Sequence, residues 1–436
     1  MLTREDNDLI TRTGLGTPSG ALWRQFWLPA MLSSELQAPD CPPVRLRLLG
    51  EDLIAFRTTD GRVGAVANNC PHRGASLFFG RNEEQGLRCV YHGWKFDLTG
   101  ACLDMPNEPA ESNFKSKVRV TAYPCAEKAG LVWVYMGPPE VQPKLPALEW
   151  TEVPDSHRYL AKISVESNWL QALEGDIDNS HASILHAGIG GPPDAPFAAR
   201  LAAGRGARPG RKLARPGAAY YAADTAPRGI VQETDYGLMM GWQRFATEEN
   251  FHWHINHWLM PSYVLLGSAP GSTVQCNARM PMDDENSWFI RVRYNPHRPL
   301  TEEELFECTR EFVTYSELIP GTFRPVENAD NDYLIDRAVQ RTTSMTGIKS
   351  VPAQDRAVTD TMGPIYDRTK EHLGTSDTVI IAVRRHLLRM ARGMLTGEAP
   401  RAAGDPDVYR IRPVDMLLNR ELPWVERAQE AIRLPG

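Results

Sequence analysis

The sequence predicts an α+β fold, with an N-terminal antiparallel β domain and a C-terminal domain in which helices cover an antiparallel sheet. Three observations support this prediction. Short apolar runs separated by turn residues fill the first third of the chain. A Pro-rich stretch at 137–146 then reads as a domain boundary. Further strand-like runs follow it, and long amphipathic segments lie towards the C-terminus.

Composition excludes several classes of protein. The 436 residues include 48 Lys+Arg and 54 Asp+Glu, a formal charge of −6, which argues against nucleic acid as a partner. No apolar run approaches the roughly 20 residues that span a bilayer, so no membrane partner is expected. The charged N-terminus, MLTREDNDLI, lacks the apolar segment of a secretory signal. We therefore expect a cytoplasmic protein.

The N-terminal domain is predicted over residues 20–145. Asp60-Gly61 lies between two apolar runs and is a hairpin signal. Turns at 99–100 and 137–139 separate the later runs. Strands are predicted at 44–49, 53–57, 63–67, 87–91, 93–96 and 131–135.

The C-terminal domain is predicted over residues 146–436, with residues 1–19 packed against it. Apolar residues at helical spacing predict a helix over 168–186, and the Gly-, Pro- and Arg-rich segment 188–217 is expected to be a mobile loop. Two later helices are predicted at 301–318 and 376–395. Strands are predicted at 157–165, 218–223, 230–240, 251–266, 273–280 and 288–294.

Two short motifs in the N-terminal domain combine thiols with imidazoles. One residue separates Cys70 from His72, and two residues separate Cys89 from His92. Two thiolates and two imidazoles suit a tetrahedral metal centre. The chain has only seven cysteines, an odd count that argues against a disulfide framework. The motifs therefore predict a metal site.

Zinc and iron are the alternatives for this site. A structural zinc ribbon uses the same ligand types but favours C-x-x-C turns, in which both sulfurs come from one turn. Here each turn offers one thiol and one imidazole, as in a Rieske [2Fe–2S] cluster, where one iron takes both thiolates and the other takes both imidazoles. We therefore predict one Rieske cluster at this site, and Trp94 either shields it or fills the β core.

A second set of metal-ligand side chains follows in the C-terminal domain. His181 and His186 lie five residues apart on the predicted helix, so their rings converge only if the helix is distorted. Asp178 precedes His181 by three residues. A single histidine is more often structural, but two histidines with a carboxylate are the common ligands of non-haem Fe(II) that activates O₂. The pattern favours a mononuclear iron site.

Asp178, His181 and His186 form the motif D-x-x-H-x-x-x-x-H, which follows the C-x-H and C-x-x-H motifs of the first domain. In this order of motifs the chain resembles the Rieske non-haem iron oxygenases. Segment 16–29 resembles their phthalate dioxygenase branch. The resemblance implies a Rieske β domain, a helix-grip catalytic domain, and one [2Fe–2S] cluster and one mononuclear Fe(II) per subunit. It also implies a homotrimer or stacked trimers. In them Asp178 would bridge a cluster histidine of one subunit to an iron-ligand histidine of the next; capping the helix is its alternative role.

The third iron ligand in this family is a carboxylate early in a late helix. Segment 351–360 resembles that position, with Asp355 in the ligand place. Asp360 is the alternative ligand, and surface charge is the alternative role for both. Three more histidines share a strand-like run with aromatic residues and are expected to line a pocket or the core: His252, His254 and His257.

Arginines hold the substrate carboxylate in the phthalate branch, because a planar guanidinium meets a carboxylate through two parallel hydrogen bonds. Arg244 lies in a strand-like region and is our first candidate for this role. Arg205 and Arg208, in the predicted loop, are further candidates, with solvation at the surface as their alternative.

These features predict the terminal oxygenase of a multicomponent system that hydroxylates an aromatic carboxylic acid, either phthalate-like or a substituted benzoate. The expected reaction is cis-dihydroxylation, with O-demethylation or another monooxygenation as the alternative. NADH electrons are expected through a separate flavin and iron–sulfur reductase, because the chain lacks a convincing nucleotide-binding glycine motif. A non-catalytic Rieske electron carrier, which would not need the iron site, and a zinc-stabilised binding module are the other classes considered.

Overall fold

The structure is a computed structural model that describes residues 1–192, 194–204, 218–267, 269–310 and 314–434. Within these residues the strands form three small antiparallel sheets and one large one. The small sheets lie in the first third of the chain, and the large sheet and most helices follow. The predicted α+β class is therefore confirmed. The predicted boundary after residue 145 falls between the last strand of the small sheets and the first strand of the large one.

The N-terminal domain contains one three-stranded and two four-stranded sheets. Its strands are β1 (Trp27–Leu32), β2 (Val44–Leu48), β3 (Glu51–Arg57), β4 (Val63–Ala67), β5 (Arg81–Glu83), β6 (Gly86–Arg88), β7 (Lys95–Phe96), β8 (Cys102–Asp104), β9 (Ala122–Tyr123), β10 (Cys125–Lys128) and β11 (Leu131–Tyr135). The sheets have the orders β1-β11-β10, β2-β3-β4-β9 and β5-β6-β7-β8. Gly61, at φ 88°, makes the predicted hairpin turn between β3 and β4.

The C-terminal domain is built on one antiparallel sheet with the order β12-β18-β17-β16-β15-β14-β13. Its strands are β12 (Arg158–Val165), β13 (Arg228–Thr234), β14 (Gly237–Phe245), β15 (Asn250–Leu259), β16 (Tyr263–Leu266), β17 (Val274–Pro281), β18 (Ser287–Tyr294) and β19 (Val414–Asn419). The long strand β15 pairs with β19 along its first half and with β16 along its second half.

Helices cover this sheet. They are α1 (Arg4–Thr11), α2 (Pro18–Trp23), α3 (Glu149–Glu152), α4 (Trp169–Ile177), α5 (Phe197–Ala203), α6 (Ala218–Ala223), α7 (Glu302–Thr309), α8 (Arg337–Thr342), α9 (Val351–Asp360), α10 (Thr378–Met394), α11 (Arg401–Gly404) and α12 (Trp424–Ile432). The N-terminal α1 and α2 pack on α10, and the Asn7 amide donates to the Tyr366 carbonyl at 3.2 Å. Residues 1–19 thus lie against the C-terminal domain.

Several predicted elements are wrong in detail. The helix expected over 168–186 ends at Ile177, and the strand expected over 218–223 is the helix α6, whose sequence AAYYAA has high helix propensity. The helix expected over 301–318 ends at Thr309. The strands expected over 230–240 and 251–266 are each interrupted by a turn.

A continuous apolar core joins the two domains. Trp23 and Trp169 meet edge to face with ring centroids 4.9 Å apart, and Trp133 stacks on Trp150 at 5.9 Å. These four indoles are fully buried, and each removes a large apolar area from water. In the described ranges, every helix is too short or too polar to cross a membrane.

Candidate active site

The two thiol–imidazole motifs lie on two similar loops, one after β4 and one between β6 and β7. In each loop a glycine, Gly74 or Gly93, donates its N–H to the carbonyl of the cysteine four residues earlier, at 2.9 and 3.0 Å. Both glycines have a left-handed conformation, at φ 75° and 78°. The loops face each other, so that the rings of His72 and His92 lie 4.4 Å apart.

The four side chains fit a [2Fe–2S] cluster. Cys70 and Cys89 are buried, and burial raises the pKa of the Cys70 thiol to about 11, with a further contribution from Cys89. Two adjacent thiolates in this place therefore need a cation. The Nδ1 atoms of His72 and His92 are buried and have no hydrogen-bond partner among the described residues. A cluster held by these four residues would satisfy all four groups.

Trp94 is part of the β core and also stacks on a candidate cluster ligand. Its ring stacks on His72 with centroids 4.2 Å apart and an interplanar angle of 12°. Its Nε1 donates to Asn107 Oδ1 at 2.7 Å, and the side chain is buried in the small core around the cysteines. Trp94 therefore covers one side of the candidate cluster pocket and limits the orientation of the His72 ring.

A second group of ligand atoms lies in the C-terminal domain. His181 Nε2 and His186 Nε2 lie 3.6 and 3.1 Å from Asp355 Oδ1, and the three ligand atoms lie within 4.8 Å of one another. In the described part of the chain, no other group of three or more such side chains comes as close. Two imidazoles and one carboxylate converging on one point fit a mononuclear iron.

The end of α4 makes this convergence possible. Asp178 is the C-terminal cap of the helix, in an extended conformation, and a single 3₁₀ turn follows at 181–183. Asp178 Oδ1 accepts from the Ser180 N–H and Oγ, both at 2.7 Å, and these bonds replace helical ones. The rings of His181 and His186 are then 5.2 Å apart, which a regular helix with a spacing of five would not provide.

Two side chains orient the candidate iron-ligand histidines. Asp178 Oδ2 accepts from His181 Nδ1 at 3.2 Å, and Gln354 Oε1 accepts from His186 Nδ1 at 2.7 Å. Each histidine therefore presents Nε2 to the metal position, which is the usual arrangement of metal-bound imidazoles. Burial opposes ionisation of Asp178, but the hydrogen bonds from His181 and Ser180 outweigh it and lower its pKa.

The third candidate ligand is carried by α9. Ser350 caps this helix, accepting from the Ala353 N–H at 3.2 Å, and Asp355 lies in its second turn. Burial alone would raise the pKa of Asp355, but the charge and hydrogen bond of His186 hold it well below the usual range. The alternative ligand Asp360 points elsewhere, because it accepts from Ser167 Oγ and Tyr333 Oη, both at 2.8 Å.

A cavity of about 370 Å³ opens onto these three residues. Its walls come mainly from β15 to β18, from the end of α4 and from the start of α9. A volume of this size suits one substituted aromatic ring. The polar residues that line it beyond the iron ligands include Asn179, Gln275, Asn277, Arg291, Arg293 and Arg298.

The predicted substrate arginines have different outcomes. Arg244 lies on β14 and is fully buried, with Nη2 donating to the Asn179 carbonyl at 3.1 Å and its guanidinium 3.8 Å from the centre of the Tyr221 ring. It is not among the described residues that line the cavity. Its role in substrate binding stays a prediction. Arg205 and Arg208 lie outside the described residues.

The three extra histidines are buried in the large sheet. His252 stacks on Tyr220 at 4.5 Å and His257 contacts Tyr236 Oη at 2.8 Å. Only His254 lines the cavity, where its Nδ1 lies 2.5 Å from Asp415 Oδ1.

Sequence reasoning missed Gln354 and the polar residues of β17 and β18. Gln354 directly precedes the candidate ligand Asp355, but this position alone does not predict a contact with His186. A signal did exist for the strands, because Thr273, Gln275 and Asn277 alternate with apolar residues. Residues two apart on a strand share one face, and here that face forms the cavity wall.

Comparisons with known proteins agree with this architecture. Residues 26–124 match the Rieske [2Fe-2S] domain family, and residues 134–433 match the family described as LigXa C-terminal domain like. The chain is 39% identical to the 3-chlorobenzoate-3,4-dioxygenase oxygenase subunit of Comamonas testosteroni, over 94% of this chain and 93% of that one. It is 36% identical to the phthalate 4,5-dioxygenase oxygenase subunit of Pseudomonas putida, over 97% and 94% of the two chains.

A solved structure shows the same fold. The terminal oxygenase of carbazole 1,9a-dioxygenase from Nocardioides aromaticivorans IC177 superposes with a TM-score of 0.55 at 18% identity, covering 89% of this chain and 97% of that one. The chain therefore belongs to the Rieske non-haem iron oxygenases, as an oxygenase subunit. It is an enzyme with one Rieske [2Fe–2S] cluster and one mononuclear iron. The predicted family, enzyme class and cofactors are confirmed.

Proposed function

We propose that this oxygenase hydroxylates an aromatic carboxylic acid, a substituted benzoate or a phthalate-like diacid, by cis-dihydroxylation. The observation that carries the proposal is the cavity of about 370 Å³ that ends at His181, His186 and Asp355 and has arginines in its wall. Two relatives that match nearly the full chain are named for 3-chlorobenzoate and phthalate. The cavity volume and the names of these relatives thus support the same substrate class.

Different residues around the site have different roles in the reaction. His181, His186 and Asp355 hold the mononuclear iron, and Cys70, His72, Cys89 and His92 hold the cluster. When bound, these groups supply O₂ activation and single electrons, respectively. Asp178 and Gln354 fix the tautomers of the iron-ligand histidines. The cavity walls bind and orient the ring and limit the access of water.

Electrons reach the protein from NADH through a separate reductase with flavin and iron–sulfur centres. The sequence supports a separate reductase, because the chain lacks a convincing nucleotide-binding glycine motif.

Product analysis tests the reaction. The loaded oxygenase, NADH and a surrogate reductase are incubated under ¹⁸O₂ with 3-chlorobenzoate, phthalate and a methoxybenzoate. Cis-dihydroxylation gives a dihydrodiol that contains both atoms of one O₂ molecule. If no acid is converted although both metal sites are loaded, the proposed substrate class is wrong.

O-demethylation is the second candidate function. The chain is 31% identical to the 5,5'-dehydrodivanillate O-demethylase oxygenase subunit of a Sphingobium species, over 95% of this chain and 86% of that one. In the same assay, O-demethylation releases formaldehyde from the methoxybenzoate and leaves a hydroxybenzoate whose phenol oxygen is unlabelled, because one atom of O₂ goes to the methyl carbon and the other to water.

We further propose a homotrimer or stacked trimers in which electrons cross between subunits. An open apolar depression lies beside the iron ligand His181, and the exposed Val90 and Tyr91 of a second copy are the kind of side chains that would fill it. Asp178, partly exposed next to His181, would then also contact a cluster histidine of that copy. The depression is lined by Ile184, Leu185, Ile335, Gln340, Met345, Thr346 and Ile348.

Co-expression of two inactive variants tests this assembly. Cys89→Ser removes the cluster, and Asp355→Ala removes the mononuclear iron. Mixed trimers should regain activity, because the cluster of one subunit serves the iron of the next. If the mixture stays as inactive as either variant alone, while size measurements show mixed trimers, electron transfer occurs within one chain.

A further inference from the structure

One wall of the cavity is a polar surface formed by two neighbouring strands. Thr273, just before β17, and Gln275 and Asn277 within it line the cavity, as do Arg291 and Arg293 of β18. In the antiparallel register, Asn277 lies opposite Arg291 and Gln275 lies opposite Arg293. These five residues form a continuous polar surface, because directly opposed side chains on one face of a sheet are in contact. We call this surface the polar wall.

The arginines on and near the polar wall differ in their partners. Arg293 Nη1 pairs with Glu307 at 2.8 Å, and Arg298 pairs with Glu304 at 2.8 Å. Arg291 is only 7% exposed, yet no carboxylate of the described residues lies within ion-pair distance of it.

The hydrogen-bond partners of Arg291 are neutral. Its Nε donates to Asn277 Oδ1 at 3.3 Å, and its Nη1 donates to the Thr314 carbonyl. Tyr315 lies alongside, 5.6 Å from ring centre to guanidinium carbon. A buried guanidinium held by neutral groups alone is costly, because its charge is desolvated without a counter-charge.

The nearest acidic groups are engaged elsewhere. Asp176 forms two hydrogen bonds to Arg279, at 2.6 and 2.9 Å. Asp355 attracts Arg291 electrostatically, but it belongs to the candidate iron site. With that carboxylate engaged by a divalent iron, Arg291 is a buried cation in the cavity wall whose hydrogen-bond partners are neutral.

We propose that Arg291 binds the carboxylate of the aromatic substrate, with Asn277 and Gln275 completing the polar wall around it. This inference rests on the proposed function, since it names the residue that selects an acid for that site. It places the substrate carboxylate on β18, whereas the sequence prediction placed it on Arg244 of β14. The ring would then lie between the polar wall and the three candidate iron ligands.

Arg291 and Arg244 differ in a way that an experiment can separate. Arg291 lines the cavity, and its guanidinium is flanked there by amide side chains. Arg244 is fully buried behind the segment that follows α4, where it donates to the Asn179 carbonyl and lies over Tyr221. We expect Arg291 to affect the choice between acid and neutral ligands, and Arg244 to affect the position of that segment.

The test measures binding to the anaerobic holoenzyme by calorimetry, with 3-chlorobenzoate and 3-chlorobenzamide as probes. In Arg291→Gln the affinity for the acid should fall by about 100-fold, because one partner of a buried charged pair is lost. The affinity for the amide should change by only about 3-fold. Arg389→Gln, at an exposed arginine of α10 outside the cavity, is the control and should leave both affinities unchanged.

A second variant distinguishes a binding effect from misfolding. Arg291→Lys keeps a positive charge but cannot form two parallel hydrogen bonds. Its affinity for the acid should therefore fall by about 10-fold, and its affinity for the amide should change little. Iron content and melting temperature are measured for every variant, so that a structural defect is recognised independently of binding.

Each outcome has a separate meaning. Equal losses for acid and amide in Arg291→Lys, or an unchanged acid preference in Arg291→Gln, overturn the inference. A loss of acid preference in Arg244→Gln alone would also overturn it and would restore the sequence prediction. If the wild-type protein itself shows no preference for the acid, the proposed substrate class fails, and that result is distinguishable from failure of Arg291.

Discussion

The contact between Gln354 and His186 gives a sharp prediction about the mononuclear iron. The Gln354 side chain accepts from His186 Nδ1 at 2.7 Å and donates to the Ile348 carbonyl at 2.7 Å. It therefore holds the imidazole in the tautomer that presents Nε2 to the metal. Gln354→Leu keeps a similar volume but removes the acceptor, so the buried Nδ1–H loses its partner.

The magnitude follows from that lost bond. A buried donor left without a partner costs about 1–3 kcal/mol, which at 1.4 kcal/mol per decade is roughly a 5- to 140-fold effect. Loss of a residue that orients a metal ligand typically weakens metal binding by about 10- to 100-fold. The hydrogen bond is also lost in the iron-free protein, so part of the cost should appear as a lower melting temperature of that form.

Chelator competition with Fe(II) under anaerobic conditions measures the affinity, and the two cluster irons serve as an internal standard for protein integrity. Gln354→Glu is the matched control, because it keeps an acceptor for His186 while losing the donor to Ile348. We expect Glu to bind iron as tightly as wild type or more tightly, since a carboxylate increases the basicity of the ligand ring. Unchanged iron affinity in Gln354→Leu, or equal losses in both variants, would refute the reasoning.

Four further predictions follow from the described contacts. Cys89→Ser should lose both cluster irons and the red-brown colour while the mononuclear iron stays, and metal analysis with EPR checks this; a colourless, zinc-loaded wild type would exclude the cluster. Asp178→Asn should keep both metal sites loaded and the cluster reducible, yet turnover should fall by orders of magnitude; near-normal turnover would show that Asp178 is not the bridge. Burial lowers the pKa of His257 from 6.5 to about 3. Between these pH values only the unfolded state binds this proton, so the free energy of unfolding should fall by up to roughly 1.4 kcal/mol per pH unit as the pH drops from 6.5 towards 3. In His257→Gln, denaturant titrations should show that this slope is smaller. Gly267→Ala places a Cβ 2.5 Å from His254 Nδ1, so it should displace a cavity-lining ring and destabilise the protein by about 1–3 kcal/mol, and an unchanged melting curve would contradict this.

The local motifs were readable because their chemistry lies close together along the chain. Cys70 and His72 share one loop, so their spacing alone indicates a ligand set. His181 and His186 were also predicted together, on a helix over 168–186 that had to be distorted for their rings to converge; in the structure this helix ends before them. The helix ends at Ile177 because the Asp178 carboxylate takes over hydrogen bonds from backbone and side-chain donors of Ser180. Such competition between side chain and backbone leaves little trace in a hydrophobic pattern.

The segment 218–223 shows a second limit of pattern reading. Six residues are too few to distinguish a strand from a helix by periodicity. Its alanines favour the helix that forms, α6. This helix packs on β14, and its Tyr221 ring lies against the Arg244 guanidinium of that strand. The position of Arg244, fully buried over Tyr221, follows from this packing.

The sequence by itself determined the two-domain α+β plan, the two kinds of metal site and the class of enzyme, because spacing within a loop and periodicity within a strand are local properties. Only the tertiary structure decided which distant side chains meet. It brought Asp355 of α9 to the histidines after α4, placed Gln354 behind His186, and opposed Asn277 to Arg291 across two strands. These contacts depend on sheet register and helix packing, which involve residues far apart in the chain, and no local pattern specifies them.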